Sequence, residues 1–388
     1  MLTHSAAVDA LLVASAVPVS ASHRSGTLDE ARALLQADPL LAEQSIYTAA
    51  VLGNAPAVRH WIERDPALAT ARGGPYDWDA LTWCCFSRWL RDEPARAEDF
   101  VAVARTLIEA GAPVNTGFMD VAHGPTPQFE SALYGAAGVA FCAPLTALLL
   151  AHGADPNDDE VPYHAAEHYA HDVVEALLTA PVPLSRDSLA TLLLRKADWH
   201  DLHGVQQLLQ HGADPNHPGP WPHSPLLQAI RRDNHVAIIE TLLDAGADAA
   251  RAFNGVSAAS LAAWHGRTDV LQLFAARGVE LPQEGLDGIA VDVAFGDVIG
   301  VRARLAADGD LRAAFMERLP EFMGRCAGND SLAPLSVLLQ LAPSPDVRWA
   351  AGDGYWQIPP NSSALEVARL RKQAAAERLI REFAAGAE

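Results

Sequence analysis

Val161-Pro162-Tyr163-His164-Ala165-Ala166, followed by Ala170-His171-Asp172-Val173-Val174, Leu177-Leu178 and then Leu208-Leu209-Gln210-His211-Gly212-Ala213-Asp214-Pro215-Asn216, carries the clearest structural pattern in the chain. Gly212 falls where a helix ends in a left-handed residue, and Gly246 and Gly278 repeat that ending. Ser224-Pro225 and Ser257 read as helix starts: a hydroxyl satisfies the first free N–H groups, and proline stands where its missing N–H costs nothing. Unit-ending residues recur at Gly111, Gly153, Pro181, Gly212, Gly246, Gly278 and Gly309, with intervals of 42, 28, 31, 34, 32 and 31 residues. Internal repetition with a period in the low thirties signals stacked helical units. The long first interval contains residues 113–130, expected to form an extended finger between two units.

Laid against T-P-L-H-x-A-A, a short turn, G-H, V-V, L-L-L and G-A-D-V-N, the stretch from Val161 to Asn216 matches in order and spacing, so the chain resembles the ankyrin-repeat family. The resemblance implies an all-α solenoid of about ten or eleven helix-turn-helix units with β-turn or hairpin fingers. One solenoid over residues 1–388 is expected, with degenerate repeats over 1–112 that carry an insertion at 91–98. The finger 113–130 and the best-defined repeats, 131–278, follow, and degenerate and capping repeats fill 279–388. Thr27 with Glu30, and Ser363 with Glu366, have capping-box spacing. A second long loop is expected over Gly352–Pro360.

The formal net charge of −20 disfavours nucleic acid, whose phosphates require a basic face, and anionic membrane surfaces. Cys84, Cys85, Cys142 and Cys326 show no C-x-x-C spacing and suit reduced thiols in a cytoplasmic setting. The apolar run Leu11–Val19 lacks a basic flank and carries Asp9 before it, so it reads as part of the first helix rather than a signal peptide. The small-residue, proline-rich style resembles bacterial ankyrin proteins of unassigned function. A monomer is expected, with no cofactor and no metal.

In ankyrin proteins the fingers and the ends of the first helix of each unit line the concave face. By resemblance, the two residues before each interhelical turn face that groove: His168 and Tyr169, Asp198 and Trp199, Arg232 and Asp233, Trp264 and His265. Tyr76, Trp78, Trp221 and His223 belong to fingers, and Tyr163, Arg195 and His200 complete the expected surface. Exposed Trp, Tyr and Arg are the types enriched in binding hot spots. Trp61, Trp83, Cys84 and Cys85 read as core, and His164 matches the family histidine that bonds to a neighbouring turn.

Other chemistry has weaker signals. His168, His171, His200 and His203 offer imidazoles, but in no recognised zinc spacing. Asp198 with His200, or Glu167 with His168, are the pairs to weigh as acid and base, and Asp201 has a plain role as a helix cap. Glu130 and Tyr134, with Arg231 and Arg232, could bracket a small polar ligand. The sequence thus reads as a protein- or peptide-binding module acting through the concave face of its central repeats, without chemistry of its own. The alternative is a small-molecule binder or hydrolase built on the Asp/His/Trp cluster of that groove, favoured if the two long fingers fold over and close a pocket.

Overall fold

Ser224 and Ser257 do cap helices: their side chains accept the backbone N–H of Leu227 and Ser260, and Pro225 occupies the first turn. Gly212, Gly246 and Gly278 end helices at φ of 87°, 91° and 74°, where a β-carbon would be strained. The computed structural model that shows this describes residues 4–386; residues 1–3 and 387–388 of the expected 1–388 span lie outside the described residues.

Helices follow one another in antiparallel pairs, and the chain divides into two compact units. The residues up to Trp199, with Gln207–Asp214, form the first; His200–Gln206, with the chain from Pro215 onward, form the second. Pairs in the first unit are His4–Ser15 with Asp29–Ala37, Ile46–Val51 with Ala55–Arg64, and Ala80–Cys85 with Ala97–Glu109. Next come Ala132–Tyr134, continued by the π-helical turn Gly135–Val139, with Ala143–Ala151, then Glu160–Ala165 with His171–Leu178, and finally Arg186–Asp198. The second unit contains Pro225–Arg231 with Val236–Asp244, Ala258–Trp264 with Thr268–Ala276, and Gly285–Ala294 with Val298–Ala307. Gly309–Gly328 with Leu332–Leu341 and Ala364–Leu370 with Ala374–Gly386 complete it.

Among the described residues, three antiparallel two-stranded hairpins punctuate the helices: Arg72–Gly73 with Trp78–Asp79, Gly117–Asp120 with Gln128–Ser131, and Arg348–Trp349 with Ser362–Ser363. The finger expected over 113–130 is thus a real hairpin, and its second strand runs into Ser131, which caps the next helix. Leu, Val and Ala fill the interior, and Trp83, Cys84 and Cys85 are fully buried as expected. Trp61 is only half-buried and donates its indole N–H to the Glu43 carbonyl. All four cysteines are free, buried thiols.

Several local expectations need correction. Thr27 does not form a capping box with Glu30; Leu28 holds the N-cap and Thr27 bonds to Asp29. The run Leu11–Val19 leaves the helix at Ser15, and Ala16 then bridges to Ser87. The insertion at 91–98 is structured: Arg88–Asp92 is helical, and the buried Arg88 guanidinium donates to the carbonyls of Ala14 (2.9 Å) and Thr27 (2.6 Å). Gly309 does not end a helix but opens one, behind the Asp308 cap.

Candidate functional site

Interhelical turns are where the expected site residues were placed, and their backbone geometry redraws the register. Gly53, Gly266 and Gly296 take the left-handed conformation at such turns, and at the corresponding turns Phe141, His168, His200 and Asp233 do the same, with φ between 50° and 58°. His168 and Asp233 therefore occupy the glycine position itself. The residues preceding those two turns are Ala166 and Glu167, and Arg231 and Arg232, instead of the expected pairs ending in Tyr169 and Asp233. A bulky residue in this region costs roughly 1 kcal/mol or more, which glycine avoids.

In the first unit the substituted turns carry a ladder of rings. Phe141 meets His168 edge-on at 5.0 Å between centroids, and His168 lies tilted against Trp199 at 5.1 Å. Tyr169 is 60% exposed, and its hydroxyl donates to the Trp199 carbonyl at 2.9 Å. The Arg195 guanidinium sits 4.0 Å from the centre of the Tyr163 ring and also bonds Asp198 at 2.7 Å.

Beside the ladder lies a cavity of about 410 Å³, walled by Ser22, His23 and Arg24 from the loop after the first helix and by His123, Gln128 and Glu130 of the long hairpin. Tyr134, Gly138 and Val139 form the wall at the π-helical turn, and Glu160, His164 and Glu167 form the wall opposite. A β-carbon at Gly138 would come within 2.7 Å of both His164 Cβ and the Tyr134 ring, so only glycine lets these two side chains close on this turn. A spacing of four residues puts Glu160 and His164 on one face of the helix Glu160–Ala165, and Glu167 follows in the turn just after it. His164 Nε2 lies 3.1 Å from Glu160, and its Nδ1 lies 3.3 Å from Glu167. In place of the expected bond to a neighbouring turn, His164 contacts Glu160 of its own helix and Glu167 just beyond that helix's end.

Electrostatics follow from that geometry. Burial opposes charge on His164, but its hydrogen bonds to Glu160 and Glu167 raise its pKa to about 9, so it is an imidazolium at neutral pH. Glu167, also penalised by burial, is held down at about 2 by His164, by Arg24 and by Arg195, whose contact is 2.6 Å. Glu130, 4% exposed, is pushed up to about 8 by burial and then by the negative charges of Glu160 and Asp120. Burial likewise lowers His23 to about 4 and raises the Tyr134 phenol above its ordinary value. His23 Nδ1 shares a 3.2 Å hydrogen bond with the Tyr134 hydroxyl. Asp120, despite partial burial, is lowered by the Ala122 N–H and by His123 at 2.7 Å.

Several other expected surface residues are packed. Trp78 is 2% exposed, stacked on Phe118 and against Trp83, and Tyr76 lies half-buried and parallel to Trp83 at 5.5 Å. Trp264 is 6% exposed; its indole N–H donates to Asp287 at 2.7 Å and the Arg318 guanidinium covers its ring at 3.5 Å. His265 is equally buried, and burial holds its pKa well below the ordinary value. Of these four expected groove residues, Trp78, Trp264 and His265 are thus buried, and Tyr76 is half-buried against Trp83. Trp221 and His223 are half-buried in their loop. Arg232 stacks on Tyr355 at 3.4 Å, and the Tyr355 hydroxyl reaches His200 Nε2 at 3.4 Å. Asp233 binds Arg267 and Arg371, and Asp201 caps its helix through the Gly204 N–H. Among the described residues, no group of three or more His, Cys, Asp or Glu side chains is arranged to hold a metal.

Of the four residues expected to bracket a small polar ligand, Glu130 and Tyr134 line this cavity together, whereas Arg231 and Arg232 belong to the other unit. His23, Arg24, His123, Glu160, His164 and Glu167 were not placed there. The i, i+4 and i+3 spacing of Glu160, His164 and Glu167 was the one available signal.

A family model described as "Ankyrin repeats (3 copies)" matches residues 193–284. Among solved structures, the human ASB11 ankyrin repeat domain is 26% identical and covers 62% of this chain and 99% of that one, with a TM-score of 0.47. The ankyrin repeat domain of Bcl-3 is 19% identical over 50% of this chain and 85% of that one, at a TM-score of 0.41. An ankyrin repeat domain from Acinetobacter baumannii AYE is 21% identical over 60% and 97%, at 0.35. No curated protein matches the chain.

Proposed function

We propose that this chain, a mostly helical ankyrin-repeat domain, is a protein-interaction module that grips a partner segment along the ring ladder of its first unit. The observation that carries this reading is the placement of Phe141 and His168 at left-handed turn positions. A residue that only closed the turn would be glycine there, so two rings held at a backbone cost argue for a use at the surface. Tyr163, His168, Tyr169, Arg195 and Trp199 are the contacts we assign to the partner. They combine rigid aromatic area with a guanidinium, the composition of a hot spot.

The test strips the ladder without opening the core. Glycine suits the backbone of His168, so His168→Gly combined with Trp199→Ala is expected to leave the melting temperature within a few degrees of wild type. Capture of a partner by crosslinking and affinity purification should fall at least about tenfold, the effect of losing one hot-spot residue. A partner retained equally by the variant sinks the ladder as the binding face.

A further inference from the structure

We propose that the cavity beside the ladder receives an organic cation bearing N–H donors, a lysine or arginine side chain of the bound partner, held by Glu130, Glu160 and the Nε2 of His23. The inference deepens the interaction-module reading and rests on it.

Two atoms lining the cavity carry the argument. Glu130 Oε2 and His23 Nε2 have no hydrogen-bond partner, although Glu130 is 4% and His23 9% exposed. Unsatisfied polar atoms at such depth cost stability, and two facing one cavity suit a partner that brings hydrogen-bonding groups to both. The charges facing that space choose its sign. Glu160 approaches from its helix and Glu167 from the turn after it, Glu130 and the Asp120–His123 pair come from the hairpin, and Asp158 adds negative charge that acts on Glu130. The cations present, His164, Arg24 and Arg195, are already bound to Glu160 and Glu167. An entering anion would meet a surplus of carboxylates, whereas an ammonium or guanidinium offers donors to both orphan atoms at once. Glu130 stays protonated in the empty cavity because it is buried among negative charges; a cation beside it reverses that balance, and binding releases its proton. A cavity of about 410 Å³ lies in the range of ligand-sized pockets.

The probes are capped Gly-Gly-Xaa-Gly-Gly peptides with lysine, arginine, Nε-acetyl-lysine or glutamate at the centre, together with n-butylammonium chloride, titrated by calorimetry and NMR into the full chain. The lysine or arginine peptide is expected to bind saturably, at least about tenfold more tightly than the acetylated or acidic one. In buffers of different ionisation enthalpy, close to one proton should leave at pH 7. Glu130→Gln should weaken binding at least about tenfold and abolish the proton release.

A second readout needs no ligand. The folded pKa of Glu130 lies above its unfolded value of 4.5, so its contribution to stability is present below pH 4.5 and lost as pH rises through about 8. Glu130→Gln should therefore melt higher than wild type above pH 8, and an equal or lower melting temperature there would mean that Glu130 is not held protonated in the cavity. Absence of saturable binding by either cationic peptide, or equal binding of the glutamate peptide, overturns the proposal. Tighter binding of n-butylammonium than of both peptides overturns the partner side chain as the source. If Glu130→Gln captures the partner as well as wild type does, the cavity assignment fails while the module reading stands. Peptide binding without any partner lost on removal of the ladder has the opposite meaning.

Discussion

Glu167→Ala is expected to destabilise the first unit by about 3 kcal/mol, among the largest effects of any single polar substitution in it. One carboxylate meets Arg24, Arg195 and His164, and it is 7% exposed, so its removal strands cationic groups in a poorly hydrated place. The loss sits at the lower end for a buried ion pair because Arg195 keeps Asp198, His164 keeps Glu160, and the Arg24 side chain is 36% exposed. Hydrogen exchange across 160–178 should register it directly, since a stack of repeats need not unfold in one step.

The same network fixes the pH dependence. The folded pKa of Glu167, about 2, lies below its unfolded value, so its contribution is present above pH 4.5 and lost as pH falls through about 2. The folded pKa of His164, about 9, lies above the unfolded 6.5, so its contribution is complete below pH 6.5 and lost as pH rises through about 9. In Glu167→Ala the His164 titration followed by NMR should move down from about 9, because one of its two acceptors is gone. An unchanged His164 pKa would mean that Glu160 alone holds the imidazolium.

How much of this the sequence made legible depends on whether one residue or several loops set the geometry. Ser224, Ser257, Gly212, Gly246 and Gly278 act on backbone groups within a few residues of themselves, so their roles could be read in isolation. The turn after Glu160–Ala165 was misplaced because Ala170-His171 imitates the family Gly-His step, while the left-handed residue is His168. That shift paired Glu167 with His168 as acid and base, whereas the actual register puts its carboxylate on His164, Arg24 and Arg195. Glu130 and Tyr134 could be suspected from their types. The company they keep depends on a hairpin and an N-terminal loop returning to one wall, and His23 is separated from Tyr134 by 111 positions. No local pattern encodes such a return. The aromatics misled for a related reason: hydrophobicity marks Trp78 and Trp199 alike, and only the neighbouring elements decide that Trp78 is enclosed while Trp199 stays half-exposed.

Trp264 makes that distinction measurable. Trp264→Ala is expected to cost about 3–5 kcal/mol, the range for emptying a large buried ring site. The helix Ala258–Trp264 ends on this side chain, which packs against Phe322 at 5.0 Å and lies under the Arg318 guanidinium; truncation would leave a cavity and an uncovered cation. The carboxylate of Asp287 also loses the indole N–H, a charged hydrogen bond worth about 1.5–3 kcal/mol when made. Trp264→Phe separates the terms: it retains much of the ring volume and removes only the donor, so it should recover more than half of the stability lost in alanine. Hydrogen exchange within 258–276 and 309–328 is the measurement, because those helices share the ring. Amide protection in Trp264→Ala equal to wild type would mean that this tryptophan is not a core residue, and would return it to the surface role its sequence position first suggested. Loss of protection in step with loss of partner capture would instead assign the binding defect to unfolding, leaving Trp199 as the tryptophan whose removal tests recognition.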